Sequence, residues 1–229
     1  MGNIFTDLGF DVLLKGNNAM RLLEGLLVAL RISMISVLIS LPAGGLLGVF
    51  MSLDRKGIRF FGKLYLEVIR IMPQMVLLFI VYFGAAKAFG LKLSPELSSV
   101  IVFSLWGAAE MSDLVRGAVQ SIPRAQYESS AALGMNTLQT YRYVIVPQIV
   151  RRVLPNTINL ITRMIKTTSL VMMIGIVEVL KVGQQIIEAN PKNSPNAAFG
   201  VFATVFLLYF LACYPISLLS RYLEKKAAA

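Results

Sequence analysis

The sequence contains no histidine and only one cysteine, Cys213. Without histidine, the chain lacks the commonest metal ligand and the commonest general base of enzymes. A single cysteine cannot form a disulfide within the chain, nor can it supply a cysteine-cluster metal site. Both absences argue against a metalloprotease or a histidine-dependent hydrolase, and we expect neither a metal nor a cofactor in this chain.

Charged residues are also scarce, because 15% of the 229 residues are charged whereas 56% are hydrophobic. A soluble domain is about 25% charged and about 45–50% apolar. A soluble fold of this length would still expose about a quarter to a third of its unfolded surface, so it could not hide so many apolar side chains. The composition therefore predicts an all-α integral membrane protein.

The apolar stretches give the number of membrane spans. A helix needs roughly 20 apolar residues to cross about 30 Å of hydrocarbon. Two stretches reach this length without a charged residue, and three more reach it with charges inside them. The five predicted spans are 32–53, 66–89, 97–119, 155–181 and 194–220. We therefore expect a five-span helical bundle that forms one transmembrane domain over residues 1–229.

The basic residues predict the orientation, because cytoplasmic loops collect Lys and Arg. Most of them follow the first, third and last predicted spans, which share one side if there are five spans. They include Arg55, Lys56, Arg59, Lys63, Arg116, Arg124, Arg142, Arg151, Arg152, Arg221, Lys225 and Lys226, against Lys15, Arg21, Lys87, Lys92 and Lys192 on the other side. We expect an outside amino terminus and a cytoplasmic carboxyl terminus.

The net charge of +10 follows mostly from this bias. Anionic headgroups of membrane lipid are the expected counter-charges. Nucleic acid is not an expected partner, because no basic stripe with interleaved aromatic residues stands outside the predicted spans.

Segment 121–155, between the third and fourth spans, is long for a connection between helices. Pro123 suits the first turn of a helix, Gln126–Leu133 is a run of mostly good helix formers, and Gly134 can end a helix with a positive φ. Asn136 and Gln139 form a capping-box pattern that starts another helix. The segment is therefore predicted to be a short helix–turn–helix at the cytoplasmic surface. An amphipathic interfacial connector is the alternative interpretation.

This segment carries a resemblance to a known family. The run Glu128-Ser-Ser-Ala-Ala-Leu-Gly134, followed by Ile145-Val-Pro147 and Leu154-Pro155, resembles the EAA loop of ABC importer permeases, whose pattern is E-A-A, three residues, G, then I-x-L-P. Ser129 and Ser130 stand where the family usually has alanines.

Further matches resemble the polar amino-acid permeases of the histidine and glutamine uptake type, which have the type I ABC importer permease fold. The resemblance covers about residues 20–222. The matching residues are Arg116-Gly117, Ser121-Ile-Pro123, Gln126, Pro147-Gln148, Arg151-Arg152, Leu154-Pro155, Asn159 and Lys166-x-Thr168-Ser169-Leu170.

The resemblance implies the partners. Such permeases lie in the bacterial inner membrane and pair with an identical or different second permease. They bind two ATP-hydrolysing subunits, which hold ATP and Mg. An extracytoplasmic binding protein delivers the amino acid. The short helix of the EAA loop seats in a groove of the ATPase and couples it to the spans. The implied coupling residues are Ala125, Gln126, Glu128, Ser129, Ser130 and Gly134. This chain has no GxxxxGK[ST] phosphate loop, so we expect a transport subunit and not an enzyme.

Polar residues inside spans usually face a cavity or one another. Glu110, Asp113 and Gly117 share one face of the third span, and a second polar stripe lies on the fourth. The stripes could pair as buried salt bridges, or they could line a cavity for a zwitterionic amino acid. The candidate substrate-path residues are Arg70, Glu110, Asp113, Asn159, Arg163, Lys166, Thr167, Thr168 and Ser169.

Two departures from the family limit the substrate prediction. Thr167 stands where the family pattern K-D-T-S-L has its aspartate. Arg70-Ile-Met-Pro73 stands where the family commonly has R-G-T-P. Losing an acid weakens the case for a cationic substrate, although Glu110, where the family often has tyrosine, could restore the charge. A non-transporting scaffold or regulatory subunit is the second hypothesis, and a membrane enzyme is the third.

Overall fold

The computed structural model describes residues 8–53, 56–190, 194 and 196–228. Every regular element within these ranges is helical, as the composition predicts. Residues 1–7 lie outside the described ranges, as do Arg55 and Lys192, two of the basic residues that predict the orientation. The α-helices are α1 (Asn18–Ser52), α2 (Lys56–Ile71), α3 (Gln74–Phe79), α4 (Ala85–Phe89), α5 (Pro95–Gln120), α6 (Arg124–Ala132), α7 (Thr137–Thr140), α8 (Val146–Thr167), α9 (Val179–Ala189) and α10 (Ala197–Ala228).

Short helical turns of other types connect some of these helices. Two 3₁₀ segments are Phe10–Leu14 and Thr168–Ile174. Two π turns, Ile80–Gly84 and Tyr141–Ile145, join α3 to α4 and α7 to α8. A π turn contains one more residue than an α turn and is uncommon. The second one leads into α8, which stays helical through Pro155.

Two helices in the described part of the chain are long and apolar enough to cross a membrane. They cover Asn18–Ser52 and Ala197–Lys225, each with a mean hydropathy of 2.1. Two broken helix pairs, Lys56–Ile71 with Gln74–Ala88 and Thr137–Ile174 with Val179–Ala189, raise the number to four if each pair is one span. The predicted count of five spans is therefore not confirmed.

The predicted second span, 66–89, is not one continuous helix. α2 ends at Ile71, and α3 begins at Gln74. Pro73 lacks a backbone N–H and disfavours the α conformation of Met72, so the helix breaks here. A count of apolar residues does not register this break, because it takes no account of the proline.

The described residues form two compact units, each with its own core. The first unit comprises Met1–Ile35, Met75–Val102 and Arg163–Pro215. α1 approaches the start of α9 closely in this unit, because a Cβ at Gly25 would lie 2.7 Å from the Val179 nitrogen. The buried apolar side chains of its core are Val12, Leu22, Val179, Val182, Ile186, Ala197, Val201 and Val205.

The second unit comprises Ser36–Gln74, Phe103–Thr162 and Ile216–Ala229. The second half of α1 packs on α5 through glycines, since a Cβ at Gly44 would lie 2.5 Å from the Ala108 oxygen. A buried cluster joins the end of α5 to α8 and the turn before it. Its members are Val115, Ala118, Ile122, Ile145, Ile149 and Val153. Tyr127 of α6 packs against this cluster.

Candidate functional site

The helix predicted in segment 121–155 is α6. Pro123 directly precedes it as the N-cap residue, with φ −61° and ψ 141°, instead of lying in the first turn. The helix spans Arg124–Ala132, so it begins earlier than the predicted run of helix formers and ends before Leu133. Proline has a fixed φ and no N–H to lose, so it suits this boundary equally well.

The carboxyl end of α6 is closed by two backbone hydrogen bonds around Gly134. The Gly134 N–H donates to the Ala131 carbonyl at 2.9 Å, and the Met135 N–H donates to the Ser130 carbonyl at 3.1 Å. This pair of bonds is the Schellman motif, which needs a left-handed residue at its centre. Gly134 has φ +75°, as predicted.

The next helix begins with the predicted capping box. The Gln139 N–H donates to the Asn136 side chain at 2.9 Å, and the Asn136 N–H donates to the Gln139 side chain at 2.9 Å. α6 and α7 therefore have defined ends, separated by a short fixed turn.

Most of the predicted coupling residues lie on an open face. Ala125, Gln126, Glu128 and Ser129 are exposed. Ser130 is buried, and its hydroxyl donates to the Gln126 carbonyl at 2.7 Å. Ser130 therefore belongs to the packed side of α6.

Two leucines on this loop were missed by the sequence reasoning. Leu133 is 80% exposed and Leu138 is 76% exposed, one on each side of Gly134. An exposed leucine alone needs no explanation, but two that flank a fixed turn offer apolar surface on both sides of Gly134. The sequence signal that could have identified these two leucines is their position among mostly polar residues.

Side chains of α8 and the π turn hold α6 in place. The Arg152 guanidinium donates to the Ser121 carbonyl at 3.0 Å, and the Gln148 amide donates to the Gln126 side chain at 3.2 Å. The Tyr127 ring meets the Tyr141 ring edge to face. Burial raises the pKa of the Tyr127 phenol, and the neighbouring Tyr141 adds to the shift.

An ion cluster in the same unit joins α2 to α5. Arg70 Nε lies 3.0 Å from Glu110 Oε1, and Arg70 Nη1 lies 2.8 Å from Asp113 Oδ2. Arg116 Nη2 lies 2.6 Å from the other oxygen of Asp113. Helical spacing predicts bases of the fourth span as partners for these carboxylates and gives no signal for Arg70, which is a counter-ion of both.

This cluster borders an open cavity of about 460 Å³. The Glu110 side chain is 14% exposed, whereas the Arg70 side chain is 43% exposed. The cavity is lined by Lys63, Leu66, Glu67, Arg70, Ile71, Asp113 and Arg116. It presents charges of both signs, which suits a zwitterion or a water-filled opening.

The remaining candidate residues lie on α8 and the 3₁₀ segment after it. Asn159 is exposed and belongs to the second unit. Arg163 and Lys166 are exposed in the first unit. The hydroxyls of the three residues that follow donate to helix carbonyls, so each uses its proton locally. These bonds are Thr167 to Arg163, Thr168 to Ile165 and Ser169 to Lys166.

Glu178, in the first unit, is a fully buried carboxylate that the sequence reasoning did not single out. Its two oxygens accept the Lys181 N–H at 2.8 Å and the Leu180 N–H at 2.9 Å, which caps α9. The Tyr209 hydroxyl donates to it at 3.2 Å. Charge-assisted bonds of this kind offset the cost of burying a carboxylate. In the sequence, the signal for this cap is an acidic residue, Glu178, directly before the helix Val179–Ala189.

The family comparison identifies the chain. The model of the binding-protein-dependent transport system inner membrane component matches residues 40–229. The chain belongs to this family. It is the transmembrane subunit of an ATP-driven importer, as the sequence resemblance implies.

Relatives of this inner membrane component cover nearly its whole length. The glutamine transport system permease protein GlnP of Escherichia coli strain K12 is 32% identical over 206 residues, which are 90% of this chain and 92% of that protein.

Solved structures share its fold. An amino acid ABC transporter crystallised with histidines has a TM-score of 0.81 at 24% identity, covering 91% of this chain and 94% of that one. The MetNI methionine ABC transporter, in an inward-facing conformation, has a TM-score of 0.71 at 20% identity, covering 93% and 99%.

Proposed function

We propose that this inner membrane component imports a polar amino acid. The names of the similar proteins support this substrate class, because they include a glutamine permease and an amino acid transporter. The departures at Thr167 and at Arg70-Ile-Met-Pro73 argue against assigning one amino acid.

The proposed assembly follows from the family. The chain pairs with a second permease, two ATP-binding subunits that carry ATP and Mg bind on the cytoplasmic side, and an extracytoplasmic binding protein supplies the substrate. The permease forms one five-span domain with its amino terminus outside and its carboxyl terminus in the cytoplasm. In this proposal α5 is the third span along the chain and brings the number from four to five, although it carries Glu110, Asp113 and Arg116.

The single observation that carries the coupling proposal is the exposed, rigidly bounded α6. Pro123 and the Schellman motif at Gly134 fix the two ends of the helix. A displacement of α6 by the ATPase would therefore move α8 as well, because no flexible hinge at these ends absorbs it. We propose that Ala125, Gln126, Glu128 and Ser129 face the ATPase.

The free-energy contributions of Glu128 and of the two exposed leucines indicate which contacts would hold the ATPase. An exposed ion pair of Glu128 contributes about 0–1 kcal/mol. Fully burying a leucine contributes about 1.5–3 kcal/mol. Leu133 and Leu138 together therefore outweigh Glu128 if the partner covers them. Glu128 then sets orientation more than affinity.

The polar clusters of the two units are proposed to contact the substrate during transport. In the second unit, Arg70, Glu110 and Asp113 offer charges of both signs, and Asn159 offers an amide. In the first unit, Arg163 and Lys166 offer bases, with Thr167, Thr168 and Ser169 next to them. Charge-assisted hydrogen bonds would hold the carboxylate and ammonium of an amino acid.

Reconstitution tests this function. The permease is combined with its candidate ATPase and binding protein in liposomes, and ATP hydrolysis is measured with and without each polar amino acid. We expect one class of amino acid to stimulate hydrolysis and to accumulate inside. Assembly without any stimulation or uptake would instead favour the non-transporting scaffold.

A further inference from the structure

The open cavity of about 460 Å³ lies between one face of α2 and one face of α5, both in the second unit. On α2, Lys63, Glu67 and Arg70 are spaced i, i+4 and i+7, so they share the face that lines the cavity. On α5, Asp113 and Arg116 are spaced i and i+3 and do the same. The volume falls within the roughly 300–1,000 Å³ of small-molecule pockets. The cavity can therefore hold a small polar molecule.

Most charges at this cavity are already paired. Arg70 contacts Glu110 at 3.0 Å and Asp113 at 2.8 Å. Arg116 contacts Asp113 at 2.6 Å and donates to the Gln120 side chain at 3.1 Å. Two bases therefore neutralise two acids, and a ligand that took one of these charges would have to break an ion pair.

Lys63 and Glu67 differ from these paired residues. Both are exposed, and neither side chain forms a hydrogen bond or an ion pair with another residue in the described part of the chain. They lie one helical turn apart, but a lysine that precedes a glutamate by four residues is the less favourable order for an ion pair within a helix. The cavity therefore presents one unpaired ammonium and one unpaired carboxylate, whose Cβ atoms lie about 5–6 Å apart.

The position of the cavity along the two helices places it toward the proposed cytoplasmic side. With a rise of 1.5 Å per residue, Arg116 lies about 6 Å from the end of α5 at Gln120, and Lys63 lies about 10 Å from the start of α2 at Lys56. Both of these helix ends lead into segments that are cytoplasmic in the proposed topology. A molecule that binds here has therefore crossed the midplane of the membrane or has entered from the cytoplasm.

We propose that this cavity is a cytoplasmic-side binding site for a free zwitterionic amino acid, with Lys63 on its carboxylate and Glu67 on its ammonium. A zwitterion pairs both charges at once, whereas a purely anionic or cationic ligand would leave one of them without a partner. Charge-assisted hydrogen bonds to the two groups would also orient the ligand. The inference rests on the proposed import of a polar amino acid, and it adds two residues to the candidate contacts.

A zwitterionic lipid headgroup would offer the same two charges. The acyl chains of such a lipid need apolar surface, but the lining contains only two apolar side chains, Leu66 and Ile71, beside five charged ones. The lining therefore favours a free amino acid over phosphatidylethanolamine.

Isothermal titration calorimetry of the purified full chain in detergent tests the site. Glutamine is the probe, because all amino acids share its α-carboxylate and α-ammonium groups. Glutaminamide lacks the carboxylate, and N-acetylglutamine lacks the ammonium. We expect saturable binding of glutamine, and about two- to fivefold weaker binding of each derivative, which is the range of one exposed ion pair.

Two variants separate a lost contact from a general disturbance of the helix. Lys63→Gln should weaken the binding of glutamine and N-acetylglutamine but should not weaken that of glutaminamide, which has no carboxylate to lose. Glu67→Gln should weaken glutamine and glutaminamide but not N-acetylglutamine. Lys87→Gln and Glu188→Gln change exposed charges of the first unit and should leave all three affinities unchanged.

The same titration with Lys166→Gln distinguishes this site from the proposed substrate contacts of the first unit. Glutamine binding that is lost in Lys166→Gln but unchanged in Lys63→Gln and Glu67→Gln would overturn the inference and leave the proposed function intact. No saturable binding to the wild-type chain would also overturn it, and displacement of glutamine by dioleoylphosphatidylethanolamine would assign the cavity to a lipid headgroup. Charge-selective binding without uptake by the reconstituted complex would instead support this site and remove the proposed function alone.

Discussion

Replacing Gly134 by valine should uncouple the transporter while leaving it folded. The residue has φ +75° at the centre of the Schellman motif. The left-handed conformation costs an L-residue about 1–2 kcal/mol, and a β-branched residue is a true outlier there. No atom lies within 4 Å of the missing Cβ, so the whole cost is local torsion and not a clash.

This cost lowers the population of the native turn at residue 134. Since 1.4 kcal/mol is a factor of ten, the native turn should become about 5–30-fold less populated relative to competing turns. α6 would then present a displaced end to the ATPase. We expect substrate uptake by the reconstituted complex to fall by a similar factor, with the melting temperature of the permease nearly unchanged because the turn is exposed.

Two matched variants distinguish coupling from general strain. Asn tolerates the left-handed region, so Gly134→Asn should keep most of the uptake. Gly90 also has a positive φ, +67°, with nothing within 4 Å of its Cβ, but it lies after α4, outside segment 121–155. Gly90→Val should therefore leave coupling intact. Normal uptake by an assembled Gly134→Val complex would refute the reasoning, and so would an equal loss in Gly90→Val.

Three further predictions follow from other sites. An impermeant thiol reagent applied to intact cells should not label Glu128→Cys in a chain without Cys213, since the loop is proposed to be cytoplasmic; efficient labelling would reverse the topology. Glu110→Gln removes one of the two carboxylates that bind Arg70. Because Arg70 keeps the other, we expect a loss of only about 1–3 kcal/mol in unfolding free energy; a melting temperature unchanged while uptake collapses would assign Glu110 to the substrate. Glu178→Ala leaves an uncapped helix and buried donors, so thermal unfolding should show a loss of about 2–4 kcal/mol. An unchanged melting temperature would contradict the capping role.

The ends of α6 and α7 could be predicted because their signals are local. Proline before the helix, Gly134 after it and the Asn136–Gln139 pair act within a few residues, and each is found where the sequence places it or one position away. The counter-ion of Glu110 could not be predicted in this way. Arg70 is 40 residues distant, and helical periodicity says which residues share a face but not which face meets another.

The membrane spans were the weakest part of the prediction. Counting apolar residues ignores the break at Pro73, so it merged part of α2 with the helices that follow. The same count placed Glu178 inside the predicted span 155–181, as one of its charged residues. The carboxylate instead caps the amino-terminal end of α9 through the N–H groups of Leu180 and Lys181, a local pattern that a count of apolar residues does not register.

The π turn Tyr141–Ile145 has a consequence for how such chains vary in length. A π turn is an α-helix that has taken in one extra residue. Deleting a residue here would let the helix close into regular α geometry, whereas a deletion inside α6 would rotate every later side chain of that helix by about 100°. Natural insertions and deletions between the α6–α7 loop and α8 should therefore collect at 141–145.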